Sequence, residues 1–294
     1  MDRAISVLLF LILIPAAFVC AEYKLEYVYG SVEMRAGGAW QSTEPGTMIA
    51  PDSMLRIGSG SVAELTSGNL RIMLSEPGVY SVAELTQSSH RVSSWGIVQT
   101  VRGKIRNLFR GQPEIESTAM GVRAEEVGDD LGFDWMDEEE DAVDQGKGLL
   151  AEERYLEAVE YFEEALELAD EHNRGLYQFY IAYAYAMEGR YGPAMRYLSQ
   201  SDPSPLMVHY PDHVLLKGQL LVQSRAYQEA LDLFDSFLRQ DPDHENLQEV
   251  HFLSAFCHHQ LGRTGEAERM LRQACQLDPS SQTGRQAKSM LDSL

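Results

Sequence analysis

The chain has 294 residues, a length that suggests two domains, and its 45 acidic against 24 basic residues give a formal net charge of −21 at pH 7. A chain this acidic repels phosphate backbones, so nucleic-acid binding is not expected.

Residues 1–21 have the features of a signal peptide. Arg3 provides a short positive flank, and an apolar run follows at 4–19. The tripeptide Val19-Cys20-Ala21 places small residues where signal peptidase reads the chain, which predicts cleavage before Glu22 and export to the periplasm or cell envelope. Two alternatives place the protein on a membrane: lipidation of Cys20, or an uncleaved apolar anchor.

Residues 22–124 predict an all-β domain. Short segments rich in β-branched and aromatic residues alternate with glycine, proline and asparagine. This spacing fits a compact sandwich or a β-helix-like coil. The hexapeptide SVAELT occurs twice, at 61–66 and 81–86. Two explanations are open: the copies are two strands of one coil, or the similarity is due to chance.

This region resembles the FecR-like domain. The similarity rests on Gly30-Ser31-Val32, Trp40, Pro45-Gly46 and the strand–turn–strand run at 54–74, with 102–109 and 116–126 similar to the family's closing strands. The chain departs from the family where the usual Val-Arg-Gly-Thr reads Val122-Arg123-Ala124-Glu125. The resemblance implies a β-domain that contacts a second protein or an envelope polymer.

Residues 125–140 are expected to form an acidic linker. Carboxylates at this density repel one another and extend the chain, so two separately folded units are predicted on either side. A calcium site is not expected here, because the oxygen-ligand spacing of an EF-hand loop is absent.

Residues 141–294 contain a helical repeat. Small residues recur at Ala158, Ala194, Ala230 and Ala267, at intervals of 36, 36 and 37 residues, and each is followed four positions later by a large apolar residue. Another small residue lies twelve positions before each alanine. The pattern predicts two helices per unit, whose backbones approach closely at the small residues.

The repeat resembles the tetratricopeptide repeat (TPR). The small–large pattern, helix-ending Gly189 and Gly262, and repeat-closing Pro242 and Pro279 carry the similarity. The resemblance implies an all-α solenoid, a right-handed superhelix of helix hairpins. The predicted repeats and the capping helix are 141–172, 175–208, 211–244, 248–281 and 282–294.

In this family the first helix of each repeat lines a concave binding surface, and aromatic side chains there suit a protein or peptide partner. The alternative is that the same side chains pack against the next repeat. The groove positions carried over from the family are Leu176, Phe179, Tyr183 and Met187 in repeat two, Leu215, Gln219 and Val222 in repeat three, and Phe252, Phe256 and His259 in repeat four.

Catalytic patterns are not found in the sequence. It has no phosphate-binding loop, no dinucleotide glycine fingerprint and no Gly-x-Ser-x-Gly elbow. His251 and His258 lack the i, i+4 partner of a helical zinc site, so no metal, no cofactor and no enzymatic activity are expected. Cys257 and Cys275 fall in one predicted hairpin, either as a disulfide or as two buried thiols.

Two classes of function fit these features. The first is a non-enzymatic envelope scaffold that binds a protein or peptide through the repeat array. The second is a glycan- or peptidoglycan-binding accessory, or a cryptic envelope enzyme, whose β-domain stacks a polysaccharide on aromatics such as Trp40, Tyr80 and Trp95.

Overall fold

The structure is a computed structural model that describes residues 23–68, 70–85, 134–201, 209–240 and 246–294. The signal-peptide prediction, the strands predicted after residue 85 and Trp95 lie outside the described residues.

The described part of the β-domain contains two four-stranded antiparallel sheets, with strand orders β4-β1-β6-β7 and β3-β2-β5-β8. The strands are β1 Tyr23–Tyr29, β2 Val32–Arg35, β3 Gln41–Ser42, β4 Met48–Ile49, β5 Met54–Ile57, β6 Val62–Ser67, β7 Leu70–Leu74 and β8 Gly78–Ser81. Because every recorded strand pair is antiparallel, the described residues fit the sandwich expectation rather than a parallel coil.

A turn at Gly30 carries the chain from the first sheet to the second. Its φ of +75° is the left-handed conformation that glycine adopts without steric cost, and a Cβ there would lie 2.5 Å from Ser61 Oγ. Beyond the turn, side chains of both sheets share one apolar core, as Leu25 and Leu65 do with Leu55. The sandwich therefore has its own hydrophobic core.

The two SVAELT segments are not equivalent. The first forms most of β6, whereas residues 82–85 of the second form a short helical turn. In β6 the four consecutive residues Val62, Ala63, Glu64 and Leu65 are all buried. Such a strand has both faces covered, as expected of a strand that lies between two packed layers.

The second part of the chain is all-α. Its described helices are α1 Asp134–Ala151, α2 Tyr155–Leu168, α3 Glu171–Met187, α4 Tyr191–Gln200, α5 Tyr210–Gln223, α6 Tyr227–Gln240, α7 Leu247–Gln260, α8 Thr264–Leu277 and α9 Gln282–Leu291. Among these described helices none is long and apolar enough to span a membrane.

Small residues lie at the close helix contacts, as the repeat pattern predicts. All four repeat alanines are fully buried, and a Cβ on Gly146 would lie 2.7 Å from the ring of Phe162. A Cβ on Gly218 would overlap the ring of Phe234 in the same way. In these two hairpins a large side chain of the second helix thus packs against a glycine of the first.

The turn between the two helices of every repeat contains one residue with positive φ. Gly189 and Gly262 hold this position in repeats two and four, with φ of +82° and +73°. Glu153 and Arg225 hold it in repeats one and three, with φ of +62° and +65°. The helix ends predicted at the two glycines are therefore where the first helices of those repeats end.

Helix α1 begins at Asp134, inside the stretch expected to be an acidic linker. Residues 134–140 therefore belong to the helical array, and residues 125–133 lie outside the described residues. Glu139 is buried and accepts hydrogen bonds from Tyr177 Oη at 2.7 Å and Asn173 Nδ2 at 3.2 Å. These two donors on α3 stabilise the carboxylate of Glu139, which the acidic composition of 125–140 had placed in a solvated linker.

The two domains are not separate in the structure. Val62 and Met73 of the first sheet belong to the apolar core of the helical array, and Tyr27 and Tyr29 pack against it. The first sheet is therefore covered by the second sheet on one face and by helices on the other. This differs from the expectation of independent units.

Candidate interaction surfaces

Most side chains of the predicted groove are buried in the array. In repeat two, Phe179 is fully buried and its ring stacks on His209 at 5.9 Å between centroids. Tyr183 is 1% exposed and meets Tyr155 of the preceding repeat edge-on at 6.5 Å. Met187 is buried as well, and Leu176 is half-buried.

Repeats three and four show the same placement. Leu215, Val222, Phe252 and Phe256 are buried in the apolar core of the array. The ring of Phe256 meets Tyr227 of the preceding repeat at 6.0 Å. The polar Gln219 is also buried, and His259 is half-buried.

Eight of the ten predicted groove residues are therefore buried, and only Leu176 and His259 are partly accessible. The reason is that α3, α5 and α7 are buried around most of their circumference, as α5 shows from His213 to Val222 with Lys217 the one half-buried exception. Their aromatics serve inter-repeat packing, which was the alternative left open by the sequence.

The junction between the β-domain and repeat two contains a buried polar contact that joins the domains. Glu64 of β6 is 1% exposed, and its Oε2 accepts a hydrogen bond of 3.0 Å from the backbone N–H of Gly192, at the start of α4. Arg71 Nη1 donates to Glu64 Oε1 at 2.6 Å and also to the carbonyl of Gly189. One carboxylate and one guanidinium thus join β6 and β7 to the turn of repeat two.

Burial raises the pKa of Glu64, while the Arg71 charge and the Gly192 N–H act in the opposite direction. The charge on Arg71 and the backbone dipole of α4 both favour the ionised carboxylate. Burial is the largest of these effects, so the pKa of Glu64 stays above its ordinary value.

Two further contacts continue the junction along the turns of the array. Ser75 Oγ donates to Ser224 Oγ at 2.6 Å, and Arg225 Nη2 donates to the carbonyl of Leu85 at 2.8 Å. On α4, the Arg196 guanidinium lies 5.8 Å from the ring centroid of Tyr29. The β-domain therefore contacts repeats two and three along the edge formed by their inter-helix turns.

A cleft of about 380 Å³ opens at this junction. It is lined by Glu26, Tyr27, Glu64, Arg71, Glu188, Gly189, Arg190 and Pro193. Side chains of both charges line it, so the cleft itself favours no single sign of ligand.

Sequence reasoning missed this junction. Glu64 stands in an otherwise apolar stretch of β6, and Gly192-Pro193 follows an uncapped helix start. A carboxylate among apolar residues and a helix start without a cap are both visible in the sequence. Neither feature indicates that its hydrogen-bond partner lies 128 residues away in the chain.

The aromatics proposed for sugar stacking are engaged with protein groups. The guanidinium carbons of Arg35 and Arg56 lie 4.9 Å and 4.5 Å from the Trp40 ring centroid. Tyr80 packs against the sandwich core and donates to the carbonyl of Glu76 at 2.8 Å. Trp40 and Tyr80 therefore offer less open ring surface than the sequence suggested.

No group of three or more metal-ligating side chains occurs among the described residues. Cys257 is buried and Cys275 half-buried, both as free thiols, and burial raises the pKa of each. A thiol with a raised pKa is a poor nucleophile.

Comparison with known proteins identifies the class of the helical region. Models described as tetratricopeptide repeat match residues 143–205 and 221–291, which confirms the repeat prediction for these residues. Among solved structures, the chain is similar to YrrB, described as a TPR protein with an unusual peptide-binding site. That similarity is 22% sequence identity over 49% of this chain and 71% of that one, with a TM-score of 0.42. Among curated proteins, none matches the chain.

Proposed function

We propose that this protein is a non-enzymatic scaffold of the cell envelope that holds a protein or peptide partner on its tetratricopeptide array. The tandem repeats between residues 143 and 291 carry this proposal. Stacked helical hairpins form an extended surface whose principal use is to bind other polypeptides.

The charge of repeat one indicates a basic partner. Residues 134–170 contain 15 acidic side chains and two basic ones. On α2 the side chains of Glu157, Glu160 and Glu164 are exposed, and Tyr161 beside them is 38% exposed. An aromatic ring among carboxylates suits a basic segment, because the charges speed association and the ring supplies contact area.

The test compares two sets of substitutions in the full-length mature protein. Glu160→Gln, Glu164→Gln and Tyr161→Ala together alter repeat one, whereas Glu229→Gln and Glu266→Gln remove the same charge from exposed positions on α6 and α8. Capture of a cross-linked partner from the native envelope should fall several-fold for the first set only. It should also weaken at 0.5 M salt, which screens exposed charges. Equal capture by the two sets would refute the assignment to repeat one.

Export is the second part of the proposal, and the apolar run at 4–19 followed by Val19-Cys20-Ala21 supports it. N-terminal sequencing of the protein from cells should begin at Glu22. A blocked, lipid-modified Cys20 would instead place the protein on a membrane surface.

The β-domain is proposed as a second contact, to another protein or an envelope polymer, as its resemblance to the FecR-like domain implies. Val79 on β8 is 53% exposed and offers a position for a photo-crosslinking side chain. Crosslinks from Val79 to an envelope component would support the second contact. Crosslinks to the partner of the array alone would argue against it.

A further inference from the structure

Helix α4 has a weak start in its own sequence. It is only ten residues long, and its N-cap, Arg190, makes no side-chain capping hydrogen bond. Gly192 at its second position disfavours a helix, and Pro193 at its third has no N–H for a local cap to bind. By contrast, α3 has Asp170 as its N-cap residue, and the Asp170 carboxylate accepts from the Asn173 N–H at 2.8 Å.

The β-domain supplies what α4 lacks. The Gly192 N–H, left free by the local sequence, donates to Glu64 Oε2 at 3.0 Å. This carboxylate lies at the positive end of the helix dipole, and Arg71 fixes it through Oε1 at 2.6 Å. A Cβ on Gly192 would overlap the ring of Tyr27, so glycine is what allows the sheet to approach this closely.

We infer that the Glu64 carboxylate caps the N-terminus of α4 from the other domain, and that docking of the β-domain and order of α4 form one coupled equilibrium. When the domain is seated, the first turn of α4 is complete. When it lifts, α4 has an uncapped first turn with glycine and proline in it, and that turn frays.

The effect of this cap extends beyond α4. Tyr197 of α4 stacks on Tyr185 of α3, with ring centroids 6.0 Å apart and planes 21° apart. Tyr197 also donates to Glu163 Oε1 of α2 at 2.6 Å. A ligand that moves the β-domain would therefore change the packing of repeats one and two, which is a conformational route between the two domains.

Hydrogen exchange of the full-length protein tests the coupling. In Glu64→Ala the amides of Gly192 and of residues 194–197 should exchange about ten-fold faster, the loss expected of a helix cap. Exchange in α7, at the far end of the array, should not change. Glu33→Ala is the matched control, because Glu33 bonds to Arg56 within the second sheet and not to the array. It should leave α4 exchange as it is in the parent protein.

A rescue variant separates the cap from general stability. Arg190→Asp places a carboxylate at the N-cap position, where it can accept from the Gly192 N–H, and it should restore slow exchange of α4 in the Glu64→Ala background. Unchanged α4 exchange in Glu64→Ala would overturn the inference, and so would an equal rise in α4 and α7. If Glu64→Ala fails to fold, Glu64→Gln retains an acceptor oxygen without the charge, and a smaller increase confined to α4 is expected.

Discussion

His213 is the least favourably placed polar side chain in the described core. It is fully buried, its ring lies 5.8 Å from that of Phe179, and neither ring nitrogen has a hydrogen-bond partner among the residues that the structure describes. Burial lowers the pKa of His213 to about 3, and the charge of Lys217 adds to the shift. The junction of repeats two and three thus contains a histidine that must stay neutral.

This placement predicts an acid-sensitive array. The pKa of His213 in the folded protein lies below its ordinary value of 6.5. The contribution that the neutral His213 makes to the free energy of unfolding is therefore fully present above pH 6.5. It is lost as pH falls from 6.5 toward 3, by about 1.4 kcal/mol per pH unit. Chemical denaturation at pH 7.5 and pH 5 should show a smaller difference for His213→Leu than for the parent. His172→Leu, at an exposed position, is the control, and an equal difference in both variants would contradict the prediction.

At Gly192 we expect the usual preference of helices for alanine over glycine to be reversed. Alanine in a helix normally adds about 1 kcal/mol over glycine, and Gly148→Ala in α1 should show this because nothing lies within 4 Å of its Cβ position. Gly192→Ala should instead destabilise the protein, because the new methyl group displaces Tyr27 and Glu64. Thermal unfolding of the two variants makes the comparison. A rise in Tm for Gly192→Ala would mean that the sheet can move aside without cost.

At the scale of helices, the hairpin of α5 and α6 depends on the contact between Gly218 and Phe234. A Cβ on Gly218 would overlap the Phe234 ring, which is itself fully buried. Gly218→Ala should therefore cost about 1–3 kcal/mol of unfolding free energy. Adding Phe234→Leu should recover part of that loss, since the smaller side chain leaves room for the methyl group. Losses that simply add in the double variant would show that the two residues do not interact.

At the scale of the whole molecule, docking predicts that the two domains remain together after the chain is cut. Helix α1 starts at Asp134, so limited proteolysis should cut before residue 134 rather than throughout 125–140. The β-domain and the array should then co-elute on gel filtration, held by the contacts of Glu64, Arg71 and Arg225. Separate elution of the two fragments would show that these contacts are too weak to join the domains.

The local patterns of this chain predicted many of its described elements, although residues 134–140 of α1 were assigned to a linker. The glycines between short apolar segments at 54–74 predicted β5 through β7, and the spacing of Ala158, Ala194, Ala230 and Ala267 predicted the helical hairpins. These features can be predicted from sequence because they depend on residues that are near one another in the chain. Strand alternation involves residues a few positions apart, and the repeat period involves residues a few dozen positions apart.

Tertiary structure decided which of those elements face solvent. Phe179, Tyr183 and Phe256 have the aromatic character of a binding groove and of a packed core alike, and only the position of adjacent helices distinguishes the two. The same holds for Glu64, which composition treats as one more surface carboxylate. Its burial against α4 arises from a contact across 128 residues, and no local pattern encodes a partner at that distance.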